Sequence, residues 1–350
     1  MGGSAVAHIA LLSFRLGGTD GVSVVAATWG RVLRQLGHTV TTVAGSGAAD
    51  RLVPALDWPG AEGDLVPPSG SDVAAAVAGA DLVVVENVCS LPLHPTASEV
   101  VADVLRGRPA LLHHYDLPWQ RQRFADVEGW PPDDPAWTHV TINEHSRADL
   151  AVRGVEAKTV RCGVDVDVAI GDRAEARAAL GLTDGDRLLL HPVRAIERKG
   201  VPAAVALAEA LDATYWLTGP AEEGYGPTLD AVLDAARCPT LHLAAPSMAD
   251  AYAACDAVAL TSTWEGFGLP LAEAAVHRRP IAVGRYPAAA ELVDLGFRWF
   301  PPDDATPLAA FLEAPDEAVH DVNRRLVGSH LSLERVTEDL GRLLDERWGL

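Results

Sequence analysis

The chain has 350 residues, 49% of them hydrophobic, which is more than one core usually holds, since single cores stop growing near ~250–300 residues; two domains are expected. Its 48 acidic against 28 basic residues give a formal net charge of −20, which excludes nucleic acid as a partner and allows at most peripheral contact with a membrane, because such surfaces are bound through Lys and Arg. The four cysteines, Cys89, Cys162, Cys238 and Cys255, are scattered without metal spacing and read as buried free thiols of a reducing cytoplasm.

Taken in chain order, short apolar runs alternate with longer helical patterns, the signature of a parallel sheet wound with helices. The N-terminus lacks the basic region of a signal peptide, and Ile9–Leu12 is too short to span a bilayer, so His8–Phe14 reads as a first strand. Gly21–Leu36 follows as a helix and Thr39–Ala44 as the next strand, after a Leu-Gly-His turn. Asp81–Glu86, Pro109–His113 and Thr138–Ile142 are further strands, with Ser146 as the expected cap of the helix after the last. A polar break at Cys162–Arg173 ends this first doubly wound domain. A second series then runs through Arg187–Pro192, a helix over Val201–Leu211, Thr214–Leu217, Thr240–Leu243, a helix over Met248–Ala254, and Ala257–Thr261. It closes with a helix opening at Pro270, the strand Pro280–Val283 and the amphipathic helix Ser332–Trp348, whose Leu333, Val336, Leu340, Leu343 and Leu344 share one side.

In such sheets ligands sit beyond the carboxyl ends of the strands, at helix N-termini. The segment Trp264–Glu273 has that character: Gly266-Phe267-Gly268 form a loop between a strand and a helix, and Leu269 leads into Pro270 at the helix start. Glycines admit a close ligand, and the positive end of the helix favours an anion such as a diphosphate. Glu265 and Glu273 flank this loop and are pure acceptors when ionised, which suits the vicinal hydroxyls of a sugar nucleotide. One then serves the transferred sugar and the other the ribose. Arg194 and Lys199, in the loop after the first strand of the second series, supply the cations a diphosphate needs. Only two basic residues are lysine, Lys158 and Lys199, so a lysine retained here points to a specific role.

Arg194-x4-Lys199-Gly200 and Glu265-Gly-Phe-Gly-Leu-Pro-Leu-Ala-Glu273 resemble the donor-site motifs of family 4 retaining glycosyltransferases, which have the GT-B fold. Gly17-Gly18, Gly163-Val164-Asp165 and Glu291 follow the same order of landmarks. The resemblance implies two doubly wound Rossmann-like α/β domains facing each other across a cleft, over residues 1–165 for the acceptor and 166–331 for the nucleotide-sugar donor. It implies too that residues 332–350 form a helix crossing back to the first domain. By the same resemblance Glu265 contacts the sugar, with amides around Phe267–Leu269 nearby, Glu273 holds the ribose, and Arg194 and Lys199 hold the diphosphate. Gly18 would approach the donor.

On the acceptor side, the family carries a histidine near the reacting sugar after the strand Pro109–His113. His114 is the better match and His113 the alternative, a register open by one residue. Asp116, Glu86 and Asn87 lie at the same sheet edge as acceptor contacts, although Glu86-Asn87 and Gly17-Gly18 also read as cap and turn features. Asp165-Val-Asp167 and Asp184-Gly-Asp186 resemble metal motifs of another glycosyltransferase fold but lie in a linker and a turn, and no metal or other cofactor is expected. The rival functions are a phosphorylase or hydrolase on the same scaffold, and a non-catalytic sugar-nucleotide-binding module. Abundant Arg, Ala and Gly with few Lys suggest a GC-rich bacterial, actinobacterial-type genome, and with it a small-molecule or envelope-precursor acceptor.

Overall fold

The structure, a computed structural model, describes residues 6–58 and 64–350. The first residues of the chain, on which the absence of a basic leader was read, lie outside them. The chain divides into two compact units, one running to Gly163 and resumed by Leu333–Leu350, the other Val164–Ser332.

The first unit holds seven parallel strands: β1 (His8–Leu16), β2 (Thr39–Gly47), β3 (Arg51–Leu52), β4 (Leu82–Glu86), β5 (Ala110–His114), β6 (Trp137–Thr141) and β7 (Ala157–Thr159). Their order across the sheet is β3-β2-β1-β4-β5-β6-β7. Every residue of β4 and β5 is buried, as expected for strands covered by helices on both faces. Residue-on-residue register places Ser13 beside Glu86 and Glu86 beside His113, so polar side chains meet at the carboxyl edge of an otherwise apolar sheet. The helix Gly21–Gln35 starts where Asp20 accepts from the Ser23 amide at 3.2 Å, and buries Val25, Trp29, Val32 and Leu33 against the sheet. The helix Glu144–Val152 is capped by Asn143, which accepts from the Ser146 amide at 2.7 Å; the expected cap, Ser146, is instead the donor, buried in the first turn. Asn143 wins because only the residue preceding the helix has the extended backbone that aims a side chain at the orphan amides.

The C-terminal helix Leu333–Trp348 belongs to this first unit. Val336, Leu340, Leu343 and Leu344 form its buried stripe, and Arg347 donates to the Pro135 carbonyl at 2.7 Å and to Thr138 Oγ1 at 3.1 Å. Its Gly341 passes so near Leu36 that an added Cβ would lie 3.2 Å from Leu36 Cδ2.

The second unit repeats the plan with β8 (Arg187–His191), β9 (Ala213–Leu217), β10 (Thr240–His242), β11 (Ala257–Leu260) and β12 (Ile281–Val283), ordered β10-β9-β8-β11-β12 and parallel throughout. The polar segment after Cys162 leads into the helix Arg173–Ala179, tied down by Arg177: this fully buried guanidinium donates to the carbonyls of Ala254 at 2.8 Å and Thr183 at 2.6 Å, with Asp256 as its counter-charge. Both sheets reverse direction of growth at one place, between β1 and β4 and between β8 and β11. Those are the switch points beyond which an open α/β sheet binds ligands.

Candidate active site

At the second switch point, β8 ends at His191 and β11 at Leu260, and the two loops beyond them are sewn together. Thr261 Oγ1 donates to the carbonyls of Lys199 at 3.0 Å and Gly200 at 2.9 Å, and the Thr263 amide donates to the Arg198 carbonyl at 2.9 Å. The approach is close enough that a Cβ on Gly200 would overlap the Thr261 carbonyl oxygen, and Gly200 also takes φ +66, a left-handed conformation that favours glycine. A β-carbon at this position is excluded twice, by backbone angle and by space.

This seam brings Lys199, Arg198 and Glu265 together. Glu265 Oε1 accepts from the Lys199 ammonium and, at 2.5 Å, from Ser262 Oγ; Oε2 accepts from Arg198 Nη1 at 2.9 Å. Arg198 also donates to the Trp264 carbonyl at 2.9 Å. Burial pushes the Glu265 carboxyl upward, but Lys199, Arg198 and Ser262 outweigh it and hold the group at about 2. Burial acts on Lys199 in the opposite sense, bringing its ammonium down to about 8 despite the attraction of Glu265. At neutral pH the pair is charged on both sides. A carboxylate offers about four lone-pair sites, so three internal donors leave Glu265 room for one more.

The loop continues through the buried Phe267 and Gly268, which at φ +91 precedes the helix Leu269–Val276. The helix opens one residue before the expected Pro270, which occupies its second position, where the missing N–H is still free of cost. Gly266, Phe267, Gly268 and Leu269 therefore wrap the helix N-terminus beside Glu265. Glu273 sits further along, half-buried, and accepts from Tyr252 Oη at 2.7 Å. Burial pushes its carboxyl up, and the tyrosine hydrogen bond only partly opposes this.

Arg194 stands apart from this cluster. The chain after β8 pairs with the loop after β9, through the Ala195 amide donating to the Pro220 carbonyl at 2.8 Å and the Glu222 amide to Ala195 at 3.1 Å, which delivers Arg194 to Glu222, an ion pair of 2.5 Å. The expected Arg194–Lys199 clamp is thus resolved into two cations with different carboxylate partners. Arg198, which the sequence reading did not single out, is the guanidinium that meets Glu265. Two more groups were missed. His191, buried at the end of β8, shares Nδ1 with Tyr215 Oη at 2.8 Å, and Tyr286 is buried beside Gly268, its hydroxyl 2.8 Å from where a Gly268 Cβ would stand. A histidine closing an apolar strand was the available signal for the first; nothing local marks the second.

At the first switch point, Glu86 and His113 are side by side on adjacent strands, as their register requires. His113 Nδ1 lies 2.8 Å from Glu86 Oε2, which also accepts from Tyr115 Oη at 2.9 Å. Trp29 stacks on the imidazole with ring centroids 3.9 Å apart. His114, one residue on, points to the other face by strand alternation. Its Nδ1 is 2.8 Å from Ser90 Oγ and its Nε2 2.8 Å from His139 Nδ1, and His139 Nε2 reaches Asp133 at 3.0 Å. Burial, then the nearby His139 and His113, push the His114 pKa well down, so the ring is neutral. Both rings are fully buried, but the better sequence match, His114, has both nitrogens engaged, whereas the alternative, His113, has Nε2 unpartnered.

The remaining candidates of this unit are dispersed. Asn87, at φ +62, accepts from the Tyr115 amide at 3.3 Å, and Asp116 accepts from Arg121 at 2.6 Å. Gly17 turns the chain after β1 at φ +79, and Gly18 follows it on the surface, where an added Cβ would meet Asp20 Oδ2 at 2.9 Å. Of the two Asp-x-Asp pairs, Asp165 accepts from the Asp167 amide at 3.0 Å and Asp186 accepts from the Thr183 amide at 2.7 Å, both local turn bonds. No helix among the described residues is long and apolar enough to cross a membrane.

Strand order and the repeated Rossmann-like units define the class: the chain has the GT-B fold, the architecture of many glycosyltransferases. Residues 196–314, which carry Lys199, Glu265 and Glu273, match the family model described as glycosyl transferases group 1. The chain is similar over its whole length to sucrose-phosphate synthase from Thermosynechococcus elongatus, at 17% identity and TM-score 0.79, covering 97% of this chain and 98% of that one. Anabaena HepE in complex with UDP-glucose is similar at 18% identity and TM-score 0.70, covering 97% and 99%. AviGT4, a glycosyltransferase involved in avilamycin A biosynthesis, is similar at 19% identity and TM-score 0.63, covering 98% and 99%. No curated protein sequence matches the chain.

Proposed function

We propose that the protein is a cytoplasmic bacterial glycosyltransferase of the family 4 type, which moves a hexose-like sugar from a nucleoside diphosphate to a small-molecule or envelope-precursor acceptor, with retention of configuration and without a metal. The observation that carries this is the cluster of Lys199, Arg198 and Glu265 at the mouth of a glycine-opened helix, on the switch point of the second sheet. A helix N-terminus flanked by cations takes a diphosphate, and the one carboxylate among them takes sugar hydroxyls. Glu273, further along the helix, is then the ribose contact.

Lys199 is held in place before any ligand arrives. Glu265 fixes the ammonium and its neighbouring guanidinium, so the positive charge that stabilises a departing diphosphate needs no reorganisation. Arg194 joins them by exchanging its Glu222 partner for phosphate oxygens. Glu265, committed to three internal donors and strongly ionised, is a poor nucleophile, which favours departure of the diphosphate on the face from which the acceptor attacks. In the first unit, His113 takes the role first assigned to His114, and Glu86, Asn87 and Asp116 are the acceptor contacts.

The deciding experiment is a melting and product-release screen over a panel of sugar nucleotides, with and without acceptors and with and without chelator. Stabilisation by one sugar nucleotide, with nucleoside diphosphate released only when an acceptor is present, is the expected result. Release without acceptor indicates a hydrolase, dependence on inorganic phosphate a phosphorylase, and binding without any release a sensor. Loss of activity on chelation overturns metal independence.

A further inference from the structure

Buried polar atoms are almost always hydrogen-bonded, because an unmade bond in the interior leaves the full desolvation cost standing. Among the described residues only a few side-chain atoms break this rule, and two of them, Tyr286 Oη and His191 Nε2, belong to the second switch point. Tyr286 is 4% exposed and His191 is fully buried.

Their placement relative to the donor loop is specific. The Tyr286 hydroxyl stands over Gly268, the residue that opens the helix Leu269–Val276, so close that any side chain at Gly268 would meet it first. Tyr286 itself precedes the helix Pro287–Asp294, in the loop after β12, and Gly284 of the same loop is in backbone contact with β11: its amide donates to the Leu260 carbonyl at 2.8 Å. The hydroxyl is therefore held by backbone from two strands. His191 ends β8 on the opposite side of the switch point, and Tyr215 Oη, 2.8 Å from Nδ1, fixes the ring. Tyr286 Oη thus stands at Gly268, three residues on from Glu265 at the mouth of the helix, and His191 ends the strand whose following loop carries Lys199, so both unpartnered atoms belong to the switch point proposed to hold the sugar nucleotide.

We propose that Tyr286 Oη and His191 Nε2 are uncharged contacts to the diphosphate-sugar portion of the donor, each completing its hydrogen bonding only when that ligand is bound. In the tautomer that we assign, Tyr215 donates to Nδ1 and His191 presents Nε2–H, and burial keeps the ring neutral, its pKa lowered to about 3, so it adds a donor without adding charge. Tyr286 donates its hydroxyl proton to an oxygen above Gly268. A site containing Lys199, Arg198 and Arg194 has charge enough for a diphosphate; two neutral, rigid donors instead fix orientation, and a ligand lacking the matching oxygens leaves them unpaired. The inference rests on the sugar-nucleotide function proposed above.

The test uses Tyr286→Phe, which removes only the hydroxyl, and His191→Asn, which keeps an atom near the Nδ1 position for Tyr215 and deletes Nε2. Affinity for the sugar nucleotide that best stabilises the wild type is measured by titration, with the nucleoside monophosphate of the same base as control. Each variant is expected to bind the sugar nucleotide about 10-fold more weakly, with monophosphate binding within twofold of wild type. Ligand-free Tyr286→Phe should melt at or above the wild type, because it loses an unsatisfied buried group; a structural role for the hydroxyl predicts a lower melting temperature instead. Unchanged sugar-nucleotide affinity in Tyr286→Phe overturns the inference for Tyr286, and the same result in His191→Asn overturns it for His191. Should His191→Asn fail to fold, Tyr286→Phe decides alone. If no sugar nucleotide on the panel stabilises the wild type, the function itself is wrong and the inference falls with it.

Discussion

The two sheets share a strand order but arm their switch points differently. In the second unit the groups are ionic and supported by backbone: a carboxylate held at about 2 receives an ammonium, a guanidinium and a hydroxyl, on two loops joined by main-chain contacts around Gly200. In the first unit they are rings around one carboxylate, with Glu86 hydrogen-bonded to His113 and Tyr115 and Trp29 stacked over the imidazole. Under the proposed function, a site built from backbone and paired charges suits the invariant, doubly charged part of the donor, and one built from side chains on a covered strand edge can vary with the acceptor while the sheet beneath stays unchanged.

The largest effect should come from breaking the ionic site. Glu265→Gln leaves the partly exposed Lys199 and Arg198 without their counter-charge, which costs less than the roughly 3–5 kcal/mol of breaking a fully buried pair. Turnover with saturating donor should fall by about 10²–10³-fold, in the range seen when one preorganised electrostatic contact is lost. Full turnover in Glu265→Gln, or in Lys199→Ala, would remove the basis for placing the donor here.

Next is Gly200→Ala compared with Gly181→Ala. Both glycines have positive φ, +66 and +72, but only Gly200 faces a carbonyl oxygen, that of Thr261, whereas nothing lies within 4 Å of a Cβ on Gly181. Gly181→Ala should lose about 1 kcal/mol in urea unfolding, the cost of the left-handed backbone alone. Gly200→Ala should lose clearly more and lose donor affinity as well; equal losses would mean that the seam between the loops is looser than its contacts indicate.

In the first unit, His113→Asn and His114→Asn separate chemistry from support. His114→Asn, which breaks the link from Ser90 to His139, should lower the melting temperature with little change in KM for the acceptor. His113→Asn should lower kcat/KM by about 10²-fold, the low end of a proton-transfer effect. The reverse pattern would restore His114 to the role that the sequence suggested.

The smallest effects are those of pH. His114 and His139 are buried with lowered pKa values, so the unfolded chain binds protons first as pH falls through 6.5. Their contribution to stability is complete above that pH and declines below it, at up to about 1.4 kcal/mol per pH unit for each ring. Lys199, lowered to about 8, gives the opposite sign: the unfolded chain holds the proton up to its normal 10.5, so this group adds stability as pH rises from 8 toward 10.5. Donor affinity moves the other way over the same window, falling by at most tenfold per unit once the ammonium deprotonates. A donor affinity flat from pH 7 to 10 in the wild type and unchanged in Lys199→Ala would show that Lys199 does not bind the diphosphate.

Much of this architecture was legible because it depends on local rules. Period and turn residues located most strands within one to three residues, Met248–Ala254 to the residue, and the glycine-proline punctuation after β11 marked a helix mouth. The short strands β3 and β7 were not legible, since two or three residues carry no period and are strands only by pairing with β2 and β6. Nor was the helix pair Thr306–Glu313 and Glu317–His330, which the reading passed over between β12 and the C-terminal helix.

By itself the sequence determined which residue types gather at the end of which strand: Glu265 and the glycines after β11, Lys199 after β8, histidines closing β5. Those follow from chain order, because a residue just past a strand must lie at the carboxyl edge of the sheet. Only the tertiary structure decided partners. It set Arg198 rather than Arg194 against Glu265, gave His113 to Glu86 and His114 to a relay on the other face, and left Tyr286 and His191 buried with an unmade bond each. The reason is physical: pairing depends on register and side-chain direction between segments up to 67 residues apart, which no local spacing encodes.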